Sequence, residues 1–316
     1  MKNLMRLTIL AFNFGPTKRF TNGPGMSLYN FCKALSPHFE IDLFLDIKNE
    51  VSIPGVSFYS SKDCISYFKS IEKANIVHHW SGLTFELGKR VKEANIAGKK
   101  IILGPNLLDC VELEKEKKLL HNISFYKILS VNDRLKYSIS FNHDIHHQMI
   151  ETFIVGPNLK MWAPSDGRDN FILWKGNANH HVKDVYFALK LKEKLTKYNF
   201  NIMGYPKPYK YLEHIAEAKR ARLYIGTSLS ETKSQTLMES WASAIPSVTH
   251  PKIYLHGINY GTGIIASKNI DDYSEAISEI MDNPVLQKRL SEGAYQYCLD
   301  NFSYSALLEQ YYKALE

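Results

Sequence analysis

The stretch that organises the chain is Glu231-Thr-Lys-Ser-Gln-Thr-Leu-Met-Glu239, which continues as Ser240-Trp-Ala-Ser-Ala-Ile-Pro246. An apolar run at residues 221–226 comes directly before it and predicts a buried β-strand. The segment after the small polar residues 232–236 predicts a helix that ends at the proline. Two carboxylates therefore stand on either side of a strand-to-helix turn, where a ligand rich in hydroxyl groups and negative charge can bind.

Predicted strands and helices alternate along the rest of the chain. Residues 6–12 and 41–45 read as strands around an amphipathic segment, 26–35, whose apolar side chains recur at helical spacing. A turn-rich segment, 156–167, interrupts this alternation, which then starts again with a strand at 170–174. Strands that alternate with helices are typical of an α/β domain with a doubly wound parallel sheet. The pattern therefore predicts two such domains.

The length of 316 residues agrees with two domains. We expect residues 1–160 to form a first Rossmann-like domain and residues 161–300 a second, with a cleft between the two halves. Residues 301–316 are expected to form a helix that packs back toward the first domain. Clefts of this kind commonly bind a nucleotide on one side and a second substrate on the other.

The composition is that of a globular protein with a moderately basic surface. Hydrophobic residues make up 45% of the chain, which excludes a disordered protein, and the formal net charge is +7. Such a charge fits an ordinary solvated surface as well as contact with an anionic substrate, an acidic membrane surface or nucleic acid. The sequence has no basic stripe interleaved with aromatic residues, which argues against nucleic acid as a partner.

Targeting features and cysteine usage predict a cytoplasmic protein. No apolar run reaches the roughly 20 residues that span a bilayer. Residues 1–10 lack the long apolar region and the cleavage site of a signal peptide, so they read as the start of a first strand. The four cysteines are scattered without a CxxC pair, which is typical of a reducing compartment and gives no zinc motif. From the cytoplasm, the basic surface would allow peripheral contact with the inner membrane face.

Several polar residues are candidates for a ligand site because ligands gather at the carboxyl ends of parallel strands. In the first domain these are His79, Asn106 and Asp109, each of which also fits a satisfied or merely exposed polar group. Gly23 and Gly25 lie in a loop that leads into the predicted helix. That loop can bring backbone N–H groups close to an anion, or it can simply turn the chain.

Three histidines, His143, His146 and His147, stand at positions i, i+3 and i+4. On a helix they would share one face and could bind a metal ion, as in a metal-dependent hydrolase that also uses His78 and His79. The sequence has no H-E-x-x-H motif and no recognisable fourth ligand nearby. A solvated or interface cluster is therefore favoured, and no metal site is expected.

The two glutamates of the organising stretch are expected to have separate tasks. At about 100° per residue, Glu239 lies roughly 130° from the centre of the apolar side of its helix, so it is expected to point away from the core. Glu231 precedes the helix, in the loop at the end of a strand. Each carboxylate can accept hydrogen bonds from a pair of hydroxyls, such as a ribose diol, and the loop N–H groups between them can hold a phosphate. The same spacing also fits a surface glutamate and a helix-capping glutamate without a function.

The spacing Glu231-x7-Glu239, followed by Ala-Ile-Pro-Ser-Val at 244–248, resembles the E-x7-E motif and the following proline run of retaining GT-B glycosyltransferases of family 4. The strand before Gly176, and then Lys183, is similar to the strand, glycine and phosphate-binding lysine of that family. The resemblance is good over residues 170–312 and loose before them. It implies a GT-B fold of two Rossmann-like domains that face a cleft.

The resemblance also implies an activity. Members of this family move a hexose from a nucleotide-sugar, here a UDP- or GDP-sugar, to a glycan or lipid-linked acceptor with retention of the anomeric configuration. They use no metal ion and no other cofactor, because fixed cations and helix dipoles stabilise the leaving diphosphate. His79, Asn106 and Asp109 would then lie on the acceptor side.

The family's site residues carry over to matching positions of this chain. Glu231 would bind hydroxyls of the donor sugar, Glu239 would bind the ribose, and Lys183 would neutralise the leaving diphosphate. Glu231 and Lys183 would thus be the catalytic residues. The remaining residues expected to bind the donor nucleotide-sugar are Gly23, Gly25, Gly176, Asn177, Gly204, Lys233, Ser234, Gln235 and Thr236.

Three departures from the family pattern concern the donor site. Asn177 stands where an arginine is usual, so Lys175 or Lys233 would have to supply the second cation. Lys233-Ser234 replaces the usual Phe-Gly. Gly104-Pro-Asn106 replaces a histidine that is frequent at the end of a strand in the first domain. A relative that binds the nucleotide-sugar without turning it over is one alternative, and a transferase acting on a nucleic-acid base is another.

Overall fold

The computed structural model of the chain describes residues 4–11, 23–46, 51–81, 85–106, 117–118, 120–206, 214–253 and 261–316. The chain divides into two compact units. The first contains Met1–Val155 together with Tyr304–Glu316, and the second contains Gly156–Ser303. Within the described ranges, no helix is both long enough and apolar enough to cross a membrane.

The first unit alternates strands and helices up to Val155. Its elements in chain order are β1 (Met5–Ala11), α1 (Gly23–Leu35), β2 (Phe39–Leu45), β3 (Val56–Ser60), α2 (Cys64–Lys73), β4 (Ile76–Ser81), α3 (Phe85–Ile96), β5 (Lys100–Asn106), β6 (Lys127–Ser130), α4 (Asp133–His143) and β7 (Ile150–Thr152). As far as the structure describes the chain, these strands form one parallel sheet in the order β3-β2-β1-β4-β5-β6-β7. Strands are added first on one side of β1 and then on the other, which is the doubly wound arrangement.

The second unit has the same kind of architecture. Its elements are β8 (Phe171–Lys175), α5 (Val185–Lys194), β9 (Asn199–Met203), α6 (Ile215–Ala218), β10 (Leu223–Ile225), α7 (Gln235–Ala242), β11 (Ser247–Thr249), β12 (Gly263–Ile265), α8 (Ile270–Asp282) and α9 (Pro284–Phe302). The described strands form a parallel sheet in the order β12-β11-β10-β8-β9. The last helix, α10 (Tyr304–Leu315), belongs to the first unit.

Helices cover both faces of the first sheet. Val77 of β4 packs with side chains of α2, α3 and α4 on one face. The next residue, His78, points to the opposite face, because successive strand residues alternate. There it meets Phe31 of α1 and Tyr311 of α10, at ring-centroid distances of 5.4 and 5.6 Å. The C-terminal helix is therefore part of the core of the first unit.

The second sheet is also covered on both faces. Trp174 of β8 packs with α5 and α8 on one face. On the other face lie α7 and α9, whose Trp241 and Tyr297 rings meet edge to face at 5.5 Å. Lys175 alternates with Trp174 along β8, so its side chain points to the side of α7. This alternation places Lys175 next to α7, the helix of the organising stretch.

The predicted α/β class with two doubly wound parallel sheets is confirmed, whereas several local expectations are wrong. The glycines at 23 and 25 do not lie in a loop before the helix, because α1 already begins at Gly23. The helix that follows β8 begins at Val185, after a 3-10 turn at His181–Lys183. The short strand β7 was not expected at all.

The histidine cluster does not share a helix face. Helix α4 ends at His143, and the following Asp144 adopts a left-handed conformation with φ of 53°. His143 is buried, while His146 and His147 are exposed beyond the helix end. Among the residues that the structure describes, no three histidine, cysteine, aspartate or glutamate side chains form a group that could hold a metal ion.

Candidate functional site

The carboxyl ends of β8 and β10 carry the residues of the E-x7-E stretch. Lys175 ends β8, and a 3-10 turn then leads to Lys183 and α5. Glu231 follows β10 within a short loop, and its backbone N–H donates to the carbonyl of Lys252 at 3.3 Å. This contact fixes the loop beside the neighbouring chain segment before α7 begins at Gln235.

Glu231 and Lys183 form an ion pair at this edge of the sheet. The Lys183 ammonium contacts Oε1 of Glu231, and the hydroxyl of Ser228 donates to the same oxygen at 2.7 Å. The side chains of Lys183 and Glu231 retain 28% and 12% of their exposure. Because the pair still reaches solvent, an incoming ligand can replace one partner without leaving a fully buried charge behind.

Hydrogen bonds from the end of β10 support the backbone around Lys183. The Thr227 hydroxyl lies 3.0 and 2.9 Å from the carbonyl oxygens of Lys183 and Asp184, and it accepts from the indole N–H of Trp174 at 2.8 Å. The ammonium of Lys268 pairs with the Asp184 carboxylate at 2.6 Å and donates to the Thr227 carbonyl at 2.9 Å. The position of the lysine is thus determined by side chains from three neighbouring elements.

A buried histidine supports the other partner of the ion pair. Nε2 of His250 lies 2.5 Å from the carbonyl oxygen of Ser228. Since a carbonyl oxygen only accepts, Nε2 carries the proton, and Nδ1 accepts from the backbone N–H of Lys252 at 3.3 Å. Burial lowers the pKa of His250, which keeps the ring neutral in this role. The ring therefore orients Ser228 toward Glu231.

The second glutamate forms a second ion pair, inside the protein. Lys175 Nζ lies 2.7 Å from Oε2 of Glu239, and the two side chains retain only 3% and 1% of their exposure. The Lys175 ammonium also lies 4.2 Å from the centre of the Trp162 ring. The expectation that Glu239 points away from the core is wrong: α7 is enclosed by the sheet, by α9 and by the segment around Trp162, so residues 237–242 are all buried.

The residues between the two glutamates form the first turn of α7 and the segment before it. Lys233 is half-buried, and burial lowers its pKa to about 7. Ser234 is buried, and Gln235 donates from Nε2 to Oε1 of Glu239 at the long distance of 3.5 Å. The hydroxyls of Thr236 and Tyr224 lie 2.9 Å apart. The backbone N–H groups of such a first turn have no acceptor within their own helix and carry partial positive charge, which favours an anion.

Three of the expected donor-binding residues lie at the ends of neighbouring strands β8 and β9. Gly176 follows β8 and donates its N–H to the Met203 carbonyl at 3.2 Å. The exposed Asn177 accepts at Oδ1 from the backbone N–H of Asn179 at 3.1 Å. Gly204 follows β9 and has φ of 99°, a left-handed conformation that other residues adopt with strain. These residues share one edge of the sheet with Lys175.

The residues expected to bind substrate in the first unit are only partly described. Gly23 and Gly25 lie in the first turn of α1, and Asn106 is the last residue of β5. His79 lies inside β4 with no exposed surface, so an acceptor could reach it only if its neighbours moved. Asp109 lies outside the described residues.

The contacts of His78, a candidate together with His79 for a hydrolase site, give this residue a structural role. Its Nε2 donates to the carbonyl of Gly104 at 2.7 Å, and its Nδ1 accepts from the Tyr311 hydroxyl at 3.1 Å. Burial lowers the pKa of His78 to about 3. The ring therefore stays neutral, is fully hydrogen-bonded, and connects α10 to the sheet.

Three residues that contact the candidate site were not predicted from the sequence. Ser228 and Trp162 carry no motif that distinguishes them from ordinary loop residues. Lys175 was considered only as a second cation for phosphate, although it ends the apolar run of β8, where a charged residue requires a buried partner. The period of two along a strand was the available signal, because it directs Lys175 to the side of the sheet that is opposite to Trp174.

Two doubly wound parallel-sheet units in one chain, each covered by helices on both faces, define the GT-B fold. In the second unit, a helix N-terminus, two glutamates and two lysines lie near the carboxyl edge of the sheet, where open α/β sheets bind their ligands.

Solved structures of glycosyltransferases have this fold. The structure is similar to a glycosyltransferase from Rickettsia africae ESF-5 (TM-score 0.72, 14% identity, covering 99% of both chains). It is similar to Anabaena Alr3699/HepE in complex with UDP and glucose (TM-score 0.72, 10% identity, 98% of this chain and 99% of that one). It is also similar to the sucrose-phosphate synthase of Thermosynechococcus elongatus (TM-score 0.70, 11% identity, 98% and 99%). No protein-family model matches the sequence, and no curated protein matches it.

Proposed function

We propose that the protein is a glycosyltransferase that takes a hexose from a nucleotide-sugar, with UDP or GDP as the nucleotide. The observation that carries this proposal is the pair of glutamates on either side of the N-terminus of α7, each with a lysine partner, at the carboxyl edge of a parallel sheet. The GT-B fold supports it, as does the presence of UDP and glucose in the HepE structure.

Each part of the donor has a matching group in the second unit. Glu231 would accept hydrogen bonds from hydroxyls of the sugar, and Glu239 would accept from the ribose. The N–H groups at residues 234–236 would hold the diphosphate, because the first turn of a helix favours anions. Gly176, Asn177, Gly204 and Lys233 would border the same donor, and Gly23 and Gly25 remain predicted donor contacts of the first unit.

In this proposal Lys183 can pair with either of two anions, the Glu231 carboxylate or the diphosphate of the donor. It contacts Glu231 in the structure, and the diphosphate would offer it a second, more highly charged partner. When the Lys183 ammonium moves from Glu231 to the diphosphate, it would neutralise the leaving group. The Glu231 carboxylate would then be able to bind the sugar hydroxyls. Binding of the complete nucleotide-sugar would thus satisfy both residues at once.

The chemistry that suits these groups is transfer with retention and without a metal ion. Lys183 and the helix N-terminus place positive charge where the leaving diphosphate develops negative charge. In a front-side displacement, the departing phosphate oxygen would take the proton of the acceptor hydroxyl as the new glycosidic bond forms on the same face. Glu231 would act on the sugar by positioning it, not by forming a covalent bond.

A glycan or a lipid-linked sugar is the proposed acceptor, as the resemblance to family 4 implies. The surface of +7 formal charge would then favour peripheral contact at the inner face of a membrane, where lipid-linked acceptors are found. His79, Asn106 and Asp109 remain the predicted residues on the acceptor side.

The test of the function is release of nucleoside diphosphate from a panel of UDP- and GDP-sugars in the presence of EDTA. We expect release by the wild type, and a loss of at least 100-fold in Glu231→Ala. The matched control is Glu275→Ala, which removes an exposed glutamate of α8 in the same unit. Equal activity of Glu231→Ala and the control would refute the site, and activity that EDTA abolishes would refute the metal-independent chemistry.

One observation favours a second candidate, a protein that binds a nucleotide-sugar without turning it over. Asn177 stands where the family has an arginine, and it is engaged with the backbone of its own turn. Calorimetry separates the two candidates: donor binding with no release of nucleoside diphosphate, over a broad panel of glycan and lipid acceptors, would favour the binding protein.

A further inference from the structure

The residue that follows Lys183, Asp184, has a left-handed backbone conformation, with φ of 49° and ψ of 57°. Residues other than glycine seldom adopt this conformation, although aspartate and asparagine do so more readily than most. It ends the 3-10 turn at His181–Lys183 and begins α5, where Oδ1 of Asp184 accepts from the backbone N–H of Phe187 at 3.3 Å. The direction in which the Lys183 side chain leaves the backbone therefore depends on this turn.

A lysine from another part of the sheet contacts the turn. Lys268 lies between β12 and α8, and β11 and β10 separate β12 from β8 in the sheet. Its ammonium contacts Oδ2 of Asp184 at 2.6 Å and lies 5.5 Å from the centre of the Phe187 ring, in the first turn of α5. The two carboxylate oxygens of Asp184 thus bind the start of α5 and Lys268 at the same time.

Thr227 connects Lys268 to the backbone of Lys183. The carbonyl of Thr227 accepts from the Lys268 ammonium at 2.9 Å, and its hydroxyl lies 3.0 and 2.9 Å from the carbonyl oxygens of Lys183 and Asp184. Lys268 therefore acts on this backbone at two points, through the Asp184 carboxylate and through Thr227. The Lys183 ammonium, at the other end of its side chain, contacts Glu231.

We propose that Lys268 is a positioning residue for diphosphate binding. By holding Asp184 and Thr227, it keeps the turn in the conformation that directs the Lys183 ammonium toward Glu231 and the diphosphate. This role rests on the proposed function, and it adds a residue that lies outside the Glu231–Glu239 motif. Neither Lys268 nor Asp184 has to touch the donor in this role, because both act through Lys183.

The charge of Lys268 alone would be a different cause of the same loss. A lysine near the anion site attracts a diphosphate and an aspartate repels it, without any contribution from the turn. The two causes predict opposite results for Asp184→Asn. Asparagine tolerates the left-handed conformation and caps a helix about as well as aspartate, so the substitution removes mainly the charge that pairs with Lys268. Positioning predicts weaker binding of the diphosphate, whereas charge alone predicts tighter binding.

The experiment is calorimetry with UDP and with GDP on the wild type, Lys268→Met, Lys268→Arg and Asp184→Asn, each also combined with Lys183→Met. Lys268→Met and Asp184→Asn should each lose about fivefold in affinity, a smaller loss than in Lys183→Met, because the ammonium is misdirected and not removed. Lys268→Arg should recover most of the affinity, since a guanidinium can pair with the same carboxylate. Combined with Lys183→Met, neither substitution should weaken binding further, because both act through that lysine.

The matched controls are Lys194→Met and Asp271→Asn, which break another lysine–aspartate pair between α5 and α8 and should leave the affinity unchanged. Urea unfolding measures the stability of each variant separately from binding. Unchanged binding in Lys268→Met, unchanged or tighter binding in Asp184→Asn, or losses that add to that of Lys183→Met would overturn the inference. A wild type that binds neither UDP nor GDP would instead overturn the proposed function, and this role of Lys268 with it.

Discussion

Replacing Glu231 with glutamine should tighten the binding of nucleoside diphosphate while it slows transfer. The substitution removes the charge that holds Lys183, but it keeps an amide oxygen that can accept from Ser228, whose hydroxyl lies 2.7 Å from Oε1. The loop should therefore keep its shape while the lysine is released. A structural defect would weaken both diphosphate binding and sugar transfer. Tighter diphosphate binding together with slower transfer would therefore indicate release of Lys183 and not a structural defect.

The size of the effect follows from the exposure of the ion pair. With 28% and 12% of the side chains exposed, the pair lies between a surface pair and a buried one and is worth about 1–2 kcal/mol. A diphosphate that no longer competes with Glu231 for Lys183 should then bind about 5–30-fold more tightly. Loss of a charged acceptor for the sugar hydroxyls, about 1.5–3 kcal/mol, should lower the rate of transfer by at least tenfold.

The assay is calorimetry with UDP on the wild type, Glu231→Gln, Lys183→Met and the double variant, together with the rate of UDP release from UDP-glucose. The gain in UDP affinity should vanish in the double variant, because it depends on the lysine. Glu275→Gln on α8 is the control for removing one negative charge from the unit. UDP affinity that stays the same or falls in Glu231→Gln would refute the exchange of Lys183 between the glutamate and the diphosphate.

Three further predictions concern stability. Burial lowers the pKa of Lys233 from its ordinary value of 10.5 to about 7, so between these pH values the unfolded chain binds one more proton and the free energy of unfolding should rise with pH. In urea unfolding, Lys233→Met should therefore be more stable than the wild type by the largest margin below pH 7. A difference in stability that does not depend on pH would contradict this prediction. Arg168→Met should cost about 3 kcal/mol in the same assay, since the guanidinium donates to three carbonyl oxygens, two of them just after α7 at 2.6 and 3.0 Å; a loss below 0.5 kcal/mol would contradict it. Tyr311→Phe should cost about 1–3 kcal/mol because it leaves Nδ1 of the buried His78 without its donor at 3.1 Å, and UDP affinity should not change.

The fold could be predicted from the sequence because its signals are local. Buried parallel strands such as β1 read as continuous apolar runs, and the helices between them show apolar residues at helical spacing. The short β7 has too few residues for either period, which is why it was missed. The boundary of α1 was misplaced because Gly23 and Gly25 favour a loop on propensity alone, whereas the structure includes them in the first turn of the helix.

The strand, the loop and the helix around Glu231 and Glu239 could be predicted from the sequence, but the contacts of these two residues could not. A helical wheel assumes that one side of a helix is buried, whereas α7 is covered on several sides. The pairing of each glutamate with a lysine depends on residues 48 and 64 positions away in the chain, and no local pattern reports such a distance. His79 was placed at a strand end, but β4 continues to Ser81, which leaves the ring inside the sheet.

The most direct test of the proposed donor site is calorimetric titration of UDP- and GDP-sugars into the wild type and Lys183→Met, in EDTA. The matched control is Lys190→Met, which removes an exposed lysine of α5 without touching the edge of the sheet. We expect the wild type and the control to bind one of these nucleotide-sugars equally well, and Lys183→Met to bind it at least tenfold more weakly. A wild type that binds none of them, or a Lys183→Met variant that binds as well as the control, would contradict it.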